Sequence, residues 1–252
     1  MSSLSRSIRL TNYSLKKGLL ITLIVTLIID IALIAANFYF ESISIGGIIT
    51  GSGDNQLLSI FAINILPFII FFLTNSMLIF SESLPISISY SLTRGNFFKS
   101  MIINSAIIAA IFSIIQGILF KIEPALIGRM GKTARDNFII FNTWNDNVFV
   151  IILCLFVMII SFLAFINLLV GLNYKFGFRV WLIVAGLILI GVLLNKGLNV
   201  SFAPFLSYVN MLMSIKMRFT NLIIMGVIFL VSNIINYLII KSISIKYEII
   251  KK

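Results

Sequence analysis

The chain is 252 residues long, 60% apolar and 11% charged, with a mean hydropathy of +1.13 and a formal net charge of +11. That composition lies outside the soluble globular range. It contains no histidine, which excludes histidine metal sites, histidine haem ligation, Ser-His dyads and histidine proton relays together.

Residues 1–17 come first in chain order. A helical projection puts Leu4, Ile8, Thr11 and Leu15 on one narrow face and clusters Arg6, Arg9, Lys16 and Lys17 opposite. This predicts an amphipathic elbow helix lying in the membrane interface, its cations against anionic lipid. The alternative is a loose basic flank that only fixes orientation. The opening MSSLSRSIRL has no short apolar stretch ending in a small-residue cleavage site, so no signal peptide is expected.

A spanning helix needs about 20 apolar residues to cross about 30 Å of hydrocarbon. Leu19 to Phe40 meets that length and carries Asp30 near its middle, with Asn37 further on. A carboxylate in hydrocarbon must face protein or water, or be protonated. Asp30 therefore reads either as a pathway or coupling residue or as a satisfied packing residue. The following Gly51-Ser52-Gly53-Asp54 mimics the motif of intramembrane aspartyl proteases, but Asp54 lies in a polar stretch without the paired carboxylate that such chemistry needs.

Leu57 to Phe80 is the second predicted span, with Asn64, Pro67 and Asn75; Met101 to Phe120 is the third, with Asn104 and Gln116. These polar residues could line a path or hydrogen-bond between helices. Asp30, Asn64, Asn75 and Gln116 are the candidate residues of a translocation path or interface. Between the two spans lies the longest predicted inner connection, residues 81–99. Its Ile86, Ile88, Tyr90 and Leu92 alternate with serines at a strand-like period. Pro85, in contrast, suits the start of a short helix. On either reading an apolar surface is offered to a partner.

The segment from Lys121 to Asn147 mixes both charges and holds Trp144, which suggests a solvated outer loop with an interfacial anchor. Gly128-Arg129-Met130-Gly131-Lys132-Thr133 imitates the end of a P-loop, but Leu126 stands where the first glycine belongs and no strand–loop–helix surrounds it. Any ATPase is therefore a separate chain, and no catalytic residue or metal ligand is expected here. Val148 to Leu172 and Phe219 to Ile240 are further spans, and Val180 to Leu194 is a shorter one. Cys154 sits within an apolar run; as the single cysteine it has no intrachain partner and reads as a small buried hydrophobe. Residues 199–215, interrupted by Pro204 and flanked by Lys196, Lys216 and Arg218, are expected to dip into the outer leaflet and return. The alternative is a seventh span.

Charge sets the orientation. With six alternating spans, Arg6, Arg9, Lys16, Lys17, Arg94, Lys99, Lys175, Arg179, Lys241, Lys246, Lys251 and Lys252 fall inside, with Glu82 and Glu248. Lys121, Arg129, Lys132, Arg135, Lys196, Lys216 and Arg218 fall outside, with Glu41, Asp54, Glu123, Asp136 and Asp146. The positive-inside rule then favours two cytoplasmic termini. The basic excess is thus a topology signal, and no nucleic acid is expected as partner. The expected fold class is an all-α polytopic membrane protein: an elbow helix over 1–17 and a six-helix transmembrane domain over 18–252.

Leu84-Pro85, followed by Ser91-Leu92-Thr93-Arg94-Gly95-Asn96-Phe97-Phe98, resembles the "LP…G-x-T-R-x-x-F-F" stretch in permease subunits of type-2 ABC exporters from Firmicutes, including the membrane subunits of the phenol-soluble modulin exporter. The family's usual glycine is Ser91 here. The resemblance implies a bacterial plasma-membrane subunit of an ATP-driven exporter of amphipathic, toxic or antimicrobial peptides. MgATP would be bound and hydrolysed by a separate cytoplasmic ATPase, and a second copy or a sister permease would complete the pathway. Glu82, Leu84, Pro85, Ile86, Ile88, Tyr90, Leu92 and Arg94 would form the ATPase-coupling surface. An ion- or proton-coupled secondary transporter using Asp30 is the main rival, and a membrane anchor or sensor without transport is a third reading.

Overall fold

The computed structural model describes residues 3–39, 48–50, 57–138, 140–183, 186 and 218–243. Among these, five helical segments are long and apolar enough to cross a membrane. The predicted shorter span Val180 to Leu194 lies largely outside the described residues, and segment 199–215 lies wholly outside them.

Helix α1 (Ser3–Tyr39) is one continuous helix of 37 residues, so the predicted elbow segment is helical and passes without a break into the first span. Strands β1 (Ile48–Thr50) and β2 (Leu57–Ser59) pair antiparallel, and β2 pairs parallel with β3 (Thr133–Ala134). Leu57 to Ser59, expected to open the second span, instead belongs to this small sheet. A 3-10 turn, Phe61–Asn64, leads into α2 (Ile65–Leu78). Pro67 is the third residue of α2, close behind the 3-10 turn.

The connection over 81–99 is not an open loop. A π-helical turn, Ile79–Ser83, runs straight into α3 (Leu84–Ser89), with Pro85 in its first turn. The strand-like alternation is thereby overruled. Six residues fit either period, and the proline position decides for the helix. Only Tyr90 to Thr93 separates α3 from α4 (Arg94–Arg129), whose first turn is capped by Thr93 accepting from the Asn96 N–H at 3.2 Å.

The turn closes as a Schellman motif. The Leu92 N–H donates to the Ser87 carbonyl and the Ser91 N–H to the Ile88 carbonyl, each at 3.0 Å. Ser91 holds φ = 55°, the left-handed conformation that glycine adopts without steric cost. Ser91→Gly is therefore expected to stabilise the protein by about 1 kcal/mol, read as a raised unfolding midpoint in detergent. An unchanged or lowered midpoint would show that the serine side chain is not strained there.

At 36 residues, α4 is about 54 Å long and overshoots the hydrocarbon core. Its second half corrects the expected outer loop: the helix continues past Phe120 to Arg129, with Glu123, Pro124 and Ile127 buried. Helices α5 (Val148–Phe176) and α6 (Arg218–Ser242) complete the bundle. Their matching ends meet, through an Arg218–Asp146 ion pair at the starts and a Lys175–Ser242 hydrogen bond of 2.8 Å at the finishes. The two helices therefore run in the same direction.

The bundle thus has a sheet end, holding β1–β3 and residues 130–138 and 140–147, and a hairpin end, holding α3. At the sheet end the ammonium of Lys121 donates to the carbonyls of Thr143, Trp144 and Asp146 at 3.0, 2.9 and 2.9 Å, pinning the connection to α5, while Trp144 stays exposed. The core between α2 and α4 is aromatic. The Phe112 ring lies 4.3, 5.6 and 5.5 Å from those of Phe68, Phe71 and Phe72. Cys154 is buried, as its apolar run implies.

Candidate functional site

Along α1 the flanking Ile28 and Ile31 are each 58% exposed, whereas Asp30 is 7% exposed. The carboxylate therefore points into the bundle, the side expected of a charged group on a spanning helix. There it meets Asn64 from the turn ahead of α2, whose Nδ2 donates to Asp30 Oδ2 at 3.1 Å and lies 3.3 Å from Gln116 Oε1. Gln116 Nε2 in turn donates to the Phe61 carbonyl at 2.7 Å. Three of the four predicted path residues are thus one hydrogen-bonded group joining α1, α2 and α4.

The group continues to an acid that sequence reasoning placed in solvent. Glu123, 1% exposed, accepts from the Phe61 N–H at 3.0 Å and from the Ser59 hydroxyl, which is 3.1 Å from both carboxylate oxygens. The physical cause lies in the helix start. The first turns of a helix leave N–H groups without intrahelical partners, and Ile60, at the cap position, has no side-chain acceptor. Glu123 supplies that acceptor from another helix, and its negative charge suits a helix N-terminus. Phe61 is gripped on both sides, its N–H by Glu123 and its carbonyl by Gln116. The spacing of Phe112, Gln116, Phe120, Glu123 and Ile127, all buried on α4, is the signal that could have found Glu123.

Asn75 stands apart. It is buried on α2 about 16 Å along the helix axis from Asn64. Beside it, Ser76 donates to Asn167 at 2.7 Å, and Asn167 donates to Ser105 at 3.2 Å, binding α2, α5 and α4 in a second polar seam. Such bonds are an ordinary means of holding membrane helices together.

At the hairpin end the predicted coupling residues divide. Tyr90 is 67% exposed and Ile86 42%, one helical turn apart on one face. Ile88 and Pro85 are half-buried, and Glu82 is exposed on the π-helical turn. Leu84 and Leu92 are buried, which corrects the expectation that they share the outward apolar surface. Helical rather than strand geometry turns Leu84 inward, and the Schellman closure folds Leu92 back against the bundle. Arg94 donates from Nη1 to the Lys241 carbonyl in the last turn of α6, where a cation is favoured by the helix dipole.

A cleft of about 350 Å³ opens between α2, α4 and α5, walled by aromatic and aliphatic side chains with Gln116 and Arg135 among its lining. Among the described residues no three or more His, Cys, Asp or Glu come together as metal ligands. No family model, no curated protein and no solved structure matches this chain.

Proposed function

We propose that this chain is the transmembrane subunit of an ATP-driven exporter in a bacterial plasma membrane, with MgATP hydrolysed by a separate cytoplasmic ATPase. The observation that carries the reading is α3, a short helix closing the α2–α4 hairpin with Ile86 and Tyr90 turned outward. An exposed aromatic beside an aliphatic on a rigid element is suited to a partner interface. The left-handed Ser91, at the place of the family's glycine, fits the resemblance of 84–98 to type-2 ABC permeases.

Two further features support six crossings and a paired permease. Helices α5 and α6 are parallel, so the chain between them begins at the hairpin end and finishes at the sheet end. That favours one more crossing than the five helical segments described. The α1 and α6 spans are 17% and 22% buried, against 44% for the others, which leaves them as the flanks for lipid or a second permease copy. Lys16, Lys17, Arg94, Lys99, Lys175 and Lys241 gather towards the hairpin end and support a cytoplasmic position for it. Amphipathic peptides are the proposed substrate class.

In Ile86→Ala/Tyr90→Ala, loss of a Tyr hot spot of about 2 kcal/mol would weaken ATPase association about 30-fold. Leu84 and Leu92 remain in place, so membrane insertion should be unchanged. Copurification of a cytoplasmic ATPase with the unaltered chain and with the double variant checks it, and full retention of the ATPase by the double variant would sink the docking surface.

A second reading, an ion-coupled transporter, is favoured by one observation: two buried acids, Asp30 and Glu123, sit in one hydrogen-bonded group.

A further inference from the structure

The acid–amide pair at the inner end of this group is incomplete. Asn64 Nδ2 donates to Asp30 Oδ2, yet Asp30 Oδ1 and Asn64 Oδ1 are both buried without any hydrogen-bond partner. Both residues are more than nine-tenths buried, at 7% and 1% exposure. Turning the amide over does not help, because its nitrogen is already used by two acceptors, Asp30 Oδ2 and Gln116 Oε1. Two orphan acceptors on one contacting pair of side chains are short of a single donor hydrogen.

Glu123 differs. Its two oxygens receive donors from Phe61 and Ser59, so the same group holds one carboxylate supplied with donors and one deprived of them.

We propose that Asp30 and Asn64 form a proton-binding site, in which a proton on Asp30 Oδ1 is donated to Asn64 Oδ1. With Asn64 Nδ2 already on Asp30 Oδ2, the pair becomes a carboxylic acid–amide ring with two hydrogen bonds. The balance is one proton taken from water and one carboxylate made neutral; release returns both. Asn64 is the positioning residue, since it offers an acceptor to the acid and a donor to the carboxylate.

The surroundings agree. From α4 the titratable group that joins the same hydrogen-bonded group is Glu123, an acid and not a cation. Helix α2 contributes no charged or titratable side chain to the pair. Lys132, from the connection after α4, reaches α1 only at Asn37, about two turns from Asp30. Among the described residues, then, Asp30 has no cationic partner. The proton site deepens the ion-coupled reading by naming the ion and the atoms, and it stands equally if ATP drives export.

The test is infrared spectroscopy of the full chain in lipid, with aspartate carrying a ¹³C-labelled side-chain carboxyl. The sequence has four aspartates, Asp30, Asp54, Asp136 and Asp146, so the label separates them from Glu123 without altering the protein. The expected result at neutral pH is a label-sensitive carboxylic-acid carbonyl band that Asp30→Asn abolishes, Glu123→Gln retains and Asn64→Leu moves to higher frequency. The band should be indifferent to exchanging sodium for a large organic cation. Absence of any label-sensitive acid band in the unaltered chain overturns the proposal, whatever transport assays show. So does a band that survives Asp30→Asn, or one that appears only when sodium is withdrawn, which would assign the oxygens to a metal cation instead.

Discussion

Glu123→Leu is expected to destabilise the protein by about 2 to 5 kcal/mol, because two buried donors, the Phe61 N–H and the Ser59 hydroxyl, lose their only acceptor together. Leucine fits the volume and suits hydrocarbon, so a scale based on burial alone predicts the opposite sign. Glu123→Gln keeps one acceptor oxygen and should cost less than about half as much. Two measurements check this: the unfolding midpoint in detergent, and hydrogen exchange of the Phe61 amide, which should accelerate most in the leucine variant. A leucine variant as stable as the parent, with its Phe61 amide still protected, would show that the acid is not the cap of α2.

Gly117→Ala should have a comparable effect for a steric reason. A Cβ at this position would lie 2.6 Å from Ile152 Cγ1 and 3.4 Å from the Ile152 Cα, so α4 and α5 touch nearly backbone to backbone. The neighbour is clamped close to its own backbone and has little room to swing away. Overpacking of this kind costs about 1 to 3 kcal/mol. The check is a double-mutant cycle: Ile152→Ala should recover most of the loss in the Gly117→Ala background while costing stability alone. Additive effects would mean that Gly117 and Ile152 are not in contact.

The membrane class was readable from hydropathy, and so were the polar positions inside apolar runs. Asp30, Asn64 and Gln116 stood out for being costly where they are, and the fold joins them. Their pairing was not readable, because it depends on how α1, α2 and α4 pass one another. Glu123 was missed through its neighbours: Lys121 and Arg129 made the stretch look solvated, although its helical repeat ran on from Gln116. The strands were invisible for another reason. Leu57 to Ser59 is apolar like the span it precedes, and three residues carry no period. In 81–99 the serine alternation pointed to a strand and Pro85 to a helix, and the geometric constraint of proline outweighed a pattern that six residues can satisfy by chance.

The hydrogen bond from Arg94 to the Lys241 carbonyl has a mechanical consequence. Arg94 is the first residue of α4 and lies four residues beyond Tyr90, while Ser242, next to Lys241, is held by Lys175 of α5. A push delivered at Ile86 and Tyr90 would therefore meet a hydrogen-bonded turn rather than an open connection. From that turn the contacts lead to the foot of α4, and through one guanidinium and one ammonium to the feet of α6 and α5. The hairpin end is tied like a yoke, so a displacement applied to it would be shared among the feet of three helices.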